Sequence, residues 1–300
     1  MTTAPIFDLK RMAVHDGPGI RTSLLLKGCP LHCLWCHNPE GIAVKPELGI
    51  RLHKCVHCGA CMTFCDCHRV TAETHELDRS RCVGCGRCIS VCSVEALVHY
   101  GKSVSPGEIL PALLADRIFF EESGGGVTLS GGEPLLHADF CVELLKLLKQ
   151  ERINCAVDTC GAVPWGDLER TLPYTDLFLY DFKHPVSEDH RRLTGCGNEK
   201  IIENLRRLGE LRCPVEIRIP LIPGMNTGIE VLKRSAEILA GIPSITAVRL
   251  LEYHDLSRSK YRSVGREYLM PDTLPITPEE LARGAEILHS FRLNVLLPDD

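Results

Sequence analysis

The 300-residue sequence is long enough for two domains, or for one barrel carrying an insertion, at about 100–200 residues per domain. Hydrophobic residues at 44% suffice for a packed core and exclude global disorder, while a net charge of -5 argues against a nucleic-acid partner, which selects a basic excess. No apolar run approaches the ~18 residues of a membrane span, and the opening MTTAPIFDLKRMAVHDG lacks a basic-then-apolar leader, so a cytoplasmic location and no membrane partner are expected.

The predicted elements alternate along most of the chain. Residues 22–27 (TSLLLK) read as a strand, short and continuously apolar as a strand covered on both faces is. Matching strands are predicted at 127–130, 154–158, 177–181, 215–221 and 247–252. Helical patterns lie between and beyond them: a short one over 108–115 after Pro106-Gly107, one over 139–148, and one over 201–211 with Ile201, Leu205 and Leu208 on one stripe. Ile229, Leu232, Ala236 and Leu239 form a further stripe. Leu281, Ala285 and Leu288 form another, entered through the helix-start signal Thr277-Pro278-Glu279-Glu280. About six strand–helix units of this kind imply parallel strands joined by helical crossovers, hence an α/β fold, either an incomplete (β/α) barrel or an open sheet. Gly17-Pro18-Gly19 reads as a turn and Gly124-Gly125-Gly126 as a flexible loop.

Residues 47–103 break the alternation and read as a subdomain inserted between 1–46 and 104–300. A segment this small cannot build a sufficient core without metal staples. It holds an internal repeat, Cys55-x2-Cys58-x2-Cys61-x3-Cys65 followed by Cys82-x2-Cys85-x2-Cys88-x3-Cys92.

The unusual number is 17 cysteines. A cytosolic chain cannot rely on stable disulfides, so clustered cysteines point to metal or redox chemistry. Outside the clusters, Cys67, Cys141, Cys155, Cys160, Cys196 and Cys213 scatter, and Cys141, Cys155 and Cys213 read as small buried hydrophobes. The first cluster, Cys29, Cys33 and Cys36, follows the strand at 22–27 directly, at the strand end where α/β barrels place their active sites. Its spacing lets one tight loop wrap three thiolates around a metal centre. On a four-iron cluster, three ligands leave one iron open to a substrate or cofactor. A zinc site completed by His32 or His37 is the alternative. The repeat in 47–103 matches the ligand run of two-cluster ferredoxins, in which the fourth cysteine of each run crosses to the other cluster. Cys55, Cys58 and Cys61 are therefore expected with Cys92, and Cys82, Cys85 and Cys88 with Cys65. Cys67 stands as an alternative to Cys65. The proline that usually follows the fourth cysteine is replaced by Asp66 and Ser93. Electron transfer is the natural function of such a pair.

Taken together, His15-Asp16-Gly17-Pro18-Gly19-Ile20-Arg21-Thr22, the Cys29-x3-Cys33-x2-Cys36 loop and Trp35-Cys36-His37-Asn38-Pro39-Glu40 resemble the activating enzymes of glycyl radical enzymes. These belong to the radical S-adenosylmethionine superfamily, with the pyruvate formate-lyase activating enzyme as the best-known relative. The resemblance covers nearly the whole chain. The ferredoxin-like insert is similar to that of the subgroup serving glycyl radical eliminases, dehydratases and decarboxylases. The resemblance implies a partial (β/α)6 barrel with an inserted ferredoxin-like subdomain, three four-iron, four-sulfur clusters, and S-adenosylmethionine bound at the open iron. Reductive cleavage of the sulfonium would give methionine and a 5′-deoxyadenosyl radical, and that radical would generate a glycyl radical on a cognate partner enzyme. The electron would come from a flavodoxin or a ferredoxin.

The resemblance also implies site residues. Trp35, Cys36 and His37 fall in the cofactor-binding loop. Gly131, Gly132 and Glu133 of Ser130-Gly131-Gly132-Glu133-Pro134 match the stretch that holds the methionine ammonium. Asp158 and Thr159, with Asp181, match residues that hold a monovalent cation, and Asp181-Phe182-Lys183 match cofactor contacts. Cys160 stands where many relatives carry Asn. His254 matches a histidine that contacts S-adenosylmethionine, with Lys260-Tyr261 completing the pattern, while Arg218, by its own place on a predicted strand, reads as pairing with the cofactor carboxylate or bridging two strands. The rival readings are a radical enzyme acting on a small molecule or another protein residue, an iron–sulfur electron carrier, and a zinc-stabilised binding module.

Overall fold

A computed structural model describes residues 2–273 and 275–298. Its strands are β1 (Ala4–Ala13), β2 (Arg21–Leu26), β3 (Glu47–Ile50), β4 (His68–Val70), β5 (His75–Leu77), β6 (Leu97–Tyr100), β7 (Lys102–Val104), β8 (Gly126–Gly131), β9 (Asn154–Thr159), β10 (Leu177–Asp181), β11 (Val215–Leu221), β12 (Ile245–Glu252) and β13 (Val295–Leu296). The helices are α1 (Pro106–Leu113), α2 (Arg117–Ser123), α3 (Ala138–Gln150), α4 (Trp165–Glu169), α5 (Ser187–Thr194), α6 (Glu199–Glu210), α7 (Ile229–Ala240), α8 (Arg258–Ser263) and α9 (Pro278–Ser290).

One nine-stranded sheet runs β13-β12-β11-β10-β9-β8-β2-β1-β7. From β2 to β13 every pairing is parallel, which gives the expected partial-barrel sheet. The six expected strands form within a residue or two of their expected ends. The helix start at Thr277 forms as a capping box, with the Thr277 hydroxyl accepting from Glu280 N at 3.2 Å and the Glu280 carboxylate accepting from Thr277 N at 3.0 Å.

The strand at Ala4–Ala13 is not foreseen by the periodicity. It pairs antiparallel with β2 on one side and with β7 on the other. Asp8 and Lys10 interrupt its apolar pattern because the face they share is wet, as antiparallel strands allow.

Alternation along the parallel strands decides where the chemistry sits. Leu24, Leu26, Val127, Leu129, Val157, Phe178, Ile217 and Val248 belong to one apolar core beneath the helices. Polar residues at several of the intervening positions bond to one another on the other face. The Ser130 hydroxyl donates to Asp158 at 2.7 Å, and those of Ser23 and Thr128 donate to the carboxylate and the backbone oxygen of Asp16, both at 2.7 Å.

The flexible loop expected at Gly124-Gly125-Gly126 is instead a close-packed seam. Gly126 opens β8, a Cβ at Gly125 would sit 1.8 Å from Ile20 O, and one at Gly19 would sit 2.5 Å from Gly125 N. Two glycine-rich turns meet there because neither has side chains to hold them apart.

Within 47–100, β3 pairs antiparallel with β6 and β4 with β5. The local core is small: Leu48, Ile50, Leu97 and the sulfurs of Cys61 and Cys88. Among the described residues, no helix is long and apolar enough to cross a membrane.

Candidate functional site

The loop after β2 turns at Gly28, whose φ of +108° favours glycine. It is then tied to two neighbouring segments by its backbone. Cys29 N donates to Ile42 O at 3.0 Å, His32 N to Thr194 O at 2.7 Å and Leu34 N to Leu193 O at 3.1 Å. Trp35 is buried against Leu193, Ile222, Tyr253 and Met270. So anchored, the loop turns Cys29, Cys33 and Cys36 into a cavity of about 210 Å³. His37, Gly131, Gly132, Asp158, Cys160, Asp181 and Lys183 line it as well.

The three thiols are free of disulfides and sit in unequal fields. Burial pushes Cys33 upward and Cys36 up to about 11, so neither ionises unaided near neutral pH. A hydrogen bond from the Cys160 side chain holds Cys29 below the ordinary thiol range, against its burial. Convergent half-buried thiols that need a neighbouring positive charge to ionise are a donor set suited to a metal centre.

The opposite wall is backbone. A Cβ at Gly132 would lie 2.2 Å from Gly28 O and 2.5 Å from Gly41 O, so only glycine lets this turn pack against the cysteine loop. Asp181 pairs with Lys183 at 2.6 Å. Burial opposes the Lys183 ammonium, yet Asp181 and the nearby thiols hold its pKa above the ordinary value. Asp158 faces Arg218 at 3.5 Å, and burial, reinforced by Asp181 and Asp16, raises its pKa to about 6 despite that cation. His37 stacks on His254, ring centroids 4.1 Å apart, and burial lowers its pKa to about 4.

Several expected site residues lie beside the cavity, not on its lining. Glu133 is fully buried, its carboxylate accepting from Thr159 Oγ1 at 2.9 Å, Cys160 N at 2.8 Å and Leu135 N at 3.1 Å. The Thr159 hydroxyl thus points to Glu133. Phe182 is buried, its N–H donating to Arg218 O at 2.9 Å. Arg218 bridges β11 to Asp158 on β9 and to the His15 carbonyl. His254 is exposed behind His37. Residues outside the expected site set also shape the site. Tyr253 lines the cavity, and Asp16 is drawn to the polar face near Arg218. Lys260 clamps the loop through His37 O, Asn38 Oδ1 and Glu40, each at 3.0 Å. For Asp16 and Lys260, the signal was their place in the His15–Thr22 and Lys260-Tyr261 runs that carry the resemblance.

The remaining thiols group across the two sequence runs. Cys55, Cys58 and Cys61 surround one small cavity with Cys92 and His75. Cys88, pushed up to about 11 by burial, has Cys65 and Cys82 among its neighbours, and Cys67 lies against Cys65. Cys141 and Cys155 are buried among apolar residues as expected, whereas Cys213 is only half-buried, at the end of the turn after α6.

Comparison with known proteins places this geometry. The family model of the Radical SAM superfamily matches residues 23–234. The chain is 40% identical over 274 residues to the isethionate sulfite-lyase activating enzyme of Desulfovibrio desulfuricans, covering 88% of each protein. It is 39% identical over 296 residues to the choline trimethylamine-lyase activating enzyme of Oleidesulfovibrio alaskensis, covering 96% of each. A crystal structure of a domain of pyruvate-formate lyase-activating enzyme from Bacteroides vulgatus superposes with a TM-score of 0.51 at 34% identity, over 58% of this chain and 99% of that one. A three-thiol loop at the mouth of a parallel partial barrel, and full-length similarity to these enzymes, carry one conclusion: the chain belongs to the radical SAM superfamily and, within it, to the activating enzymes of glycyl radical enzymes.

Proposed function

We propose that this chain activates a partner glycyl radical enzyme by admitting the partner's glycine-bearing loop to its open barrel and removing one hydrogen atom from that glycine's Cα. The observation that carries the reading is the convergence of Cys29, Cys33 and Cys36 on a cavity walled by Gly131, Gly132, Asp181 and Lys183. A four-iron cluster and S-adenosylmethionine, when bound, supply one-electron cleavage of a sulfonium to methionine and a 5′-deoxyadenosyl radical. The chain's own residues bind and orient. The three cysteines hold three corners of the cluster. The Gly131–Gly132 backbone admits close approach, Asp181 suits an ammonium, and Lys183 suits a carboxylate. His37, held neutral beside the loop, adds a flat apolar surface without a competing charge.

The reading extends to three four-iron clusters. The grouping of Cys55, Cys58 and Cys61 with Cys92, and of Cys65 with Cys82 and Cys88, supports two of them in an inserted subdomain over 47–103. A monovalent cation beside Asp158 and Asp181 is supported by the two carboxylates lining one cavity, where burial, with Asp181 and Asp16, raises the Asp158 pKa to about 6 despite Arg218. A flavodoxin or ferredoxin is the proposed electron donor, and seventeen cysteines without a disulfide suit the cytoplasm.

Anaerobic reconstitution tests this. About twelve irons are expected in the parent protein and about eight in Cys33→Ala, by ligand count. The variant should no longer cleave S-adenosylmethionine. Cleavage retained by Cys33→Ala overturns the assignment of the loop, and a parent protein that is reduced but never cleaves S-adenosylmethionine is an electron carrier.

A further inference from the structure

His68 and His75 are buried side by side in the small cysteine-rich core, on the two strands of the β4–β5 hairpin. His75 Nδ1 lies 3.3 Å from Cys55 Sγ, and His75 Nε2 lies 2.9 Å from His68 Nδ1. His68 Nε2 is buried without a hydrogen-bond partner among the described residues. Neither ring is free to turn to water, so donor–acceptor bookkeeping decides the tautomers. A metal-bound Cys55 is a thiolate and accepts only, so the proton of a neutral His75 sits on Nδ1 and points at that sulfur. His75 Nε2 must then accept, which places the His68 proton on Nδ1. This choice also leaves His68 Nε2 as a bare nitrogen and not as a buried N–H without an acceptor. Cys61 Sγ, 3.7 Å from His75 Nε2, is a flanking contact.

We propose that His75, oriented by His68, is a positioning residue that donates its Nδ1–H to the Cys55 sulfur and raises the reduction potential of the cluster held by Cys55, Cys58, Cys61 and Cys92. This rests on the reading of those four cysteines as cluster ligands. The redox step is simple: one electron enters from a low-potential one-electron donor, the cluster becomes more negative by one charge, no bond forms or breaks, and no proton moves. A donor aimed at a ligand sulfur stabilises the more negative state more, and hydrogen bonds to sulfur are one of the levers that set such potentials. Burial strengthens the effect, because the low local dielectric screens it little. The other group has a different device: Cys85 is exposed and takes its hydrogen bonds from the backbone and side chain of Arg87. The two groups are therefore backed by different donors, a buried neutral ring in one and an exposed guanidinium in the other.

The test is an anaerobic redox titration of the fully reconstituted, full-length protein, followed by electron paramagnetic resonance, with iron counted in every sample. His75→Leu should keep about twelve irons and make one cluster about tenfold harder to reduce, equivalent to 59 mV for a one-electron couple. The other potentials should stay in place. His75→Gln, which keeps an N–H donor, should restore most of the shift. His68→Leu, one ring further from the sulfur, should produce a smaller shift in the same direction, and it carries the test if His75→Leu does not load fully. Unchanged potentials at full iron loading in His75→Leu, or in His68→Leu where that variant carries the test, overturn the proposal. So does the loss of about four irons in both His75 variants. A parent protein that loads only about four irons removes the underlying cluster reading before any histidine is changed.

Discussion

Lys27 and Glu47 join the Cys29–Cys36 loop to the cysteine-rich segment, and the two ends of this pair should respond unequally to neutralisation. Lys27 is fully buried two residues before Cys29, and Glu47 opens β3. The Lys27 ammonium donates to Glu47 at 2.6 Å and to Glu40 O at 2.7 Å, while Arg266 reaches the other Glu47 oxygen at 2.9 Å. Each ion pair is worth about 6 kcal/mol of attraction at an effective dielectric of about 20, before desolvation is charged against it. Desolvation costs several kcal/mol per buried ion. For Lys27 it wins: burial lowers the ammonium's pKa despite Glu47. Replacing Lys27 by Met therefore removes a charge that burial disfavours, leaves Glu47 its second cation, and orphans only the Glu40 carbonyl, a loss of about 1–3 kcal/mol that the relieved desolvation largely offsets. Glu47→Gln instead leaves Lys27 and Arg266 facing a neutral amide, with an expected cost of about 3 kcal/mol. At roughly 2–4 °C per kcal/mol for a chain of this size class, thermal unfolding under anaerobic conditions resolves the two. Glu47→Gln should melt well below Lys27→Met. The reverse order would refute the reasoning.

Three further outcomes are expected. Gly132→Ala drives a Cβ into Gly28 O and Gly41 O, which should destabilise by about 1–3 kcal/mol and weaken S-adenosylmethionine binding more than iron loading, as equilibrium dialysis and iron analysis would read. Thr159→Val removes one of the donors that hold the buried Glu133 carboxylate, at about 1–3 kcal/mol; a midpoint in urea equal to the parent's would show that the contact contributes nothing. Asp116 accepts from the Arg11 side chain and from Thr22, which hold its carboxyl below the usual range. A depressed folded-state pKa stabilises above the ordinary carboxylate pKa and loses that contribution as pH falls through the lowered value. Asp116→Asn should thus be less stable than the parent at pH 7, and the gap should close on acidification below the carboxylate range. A gap independent of pH would assign the loss to geometry alone.

Much of this protein is legible in local patterns. Thiolate ligands wrapped by one loop must be close in sequence, so the spacing of Cys29, Cys33 and Cys36 already announces their convergence. Strands covered on both faces are continuous apolar runs, and amphipathic helices repeat at their own period, so the six parallel strands and the helices α3, α6, α7 and α9 follow from the sequence. Tertiary structure alone decided what depends on partners distant in the chain. Alternation shows that Asp158 and Arg218 share a face, but only the β9–β10–β11 order brings them to 3.5 Å. The Glu133 carboxylate could serve a ligand or the next strand, and the turn geometry gives it to Thr159 and Cys160. The Gly19–Gly125 seam, the antiparallel pairing of Ala4–Ala13, and the approach of His75 to Cys55 are contacts between segments whose own residues carry no trace of one another. Periodicity reports which way a side chain faces. Which neighbour it meets is set by how the chain packs against itself.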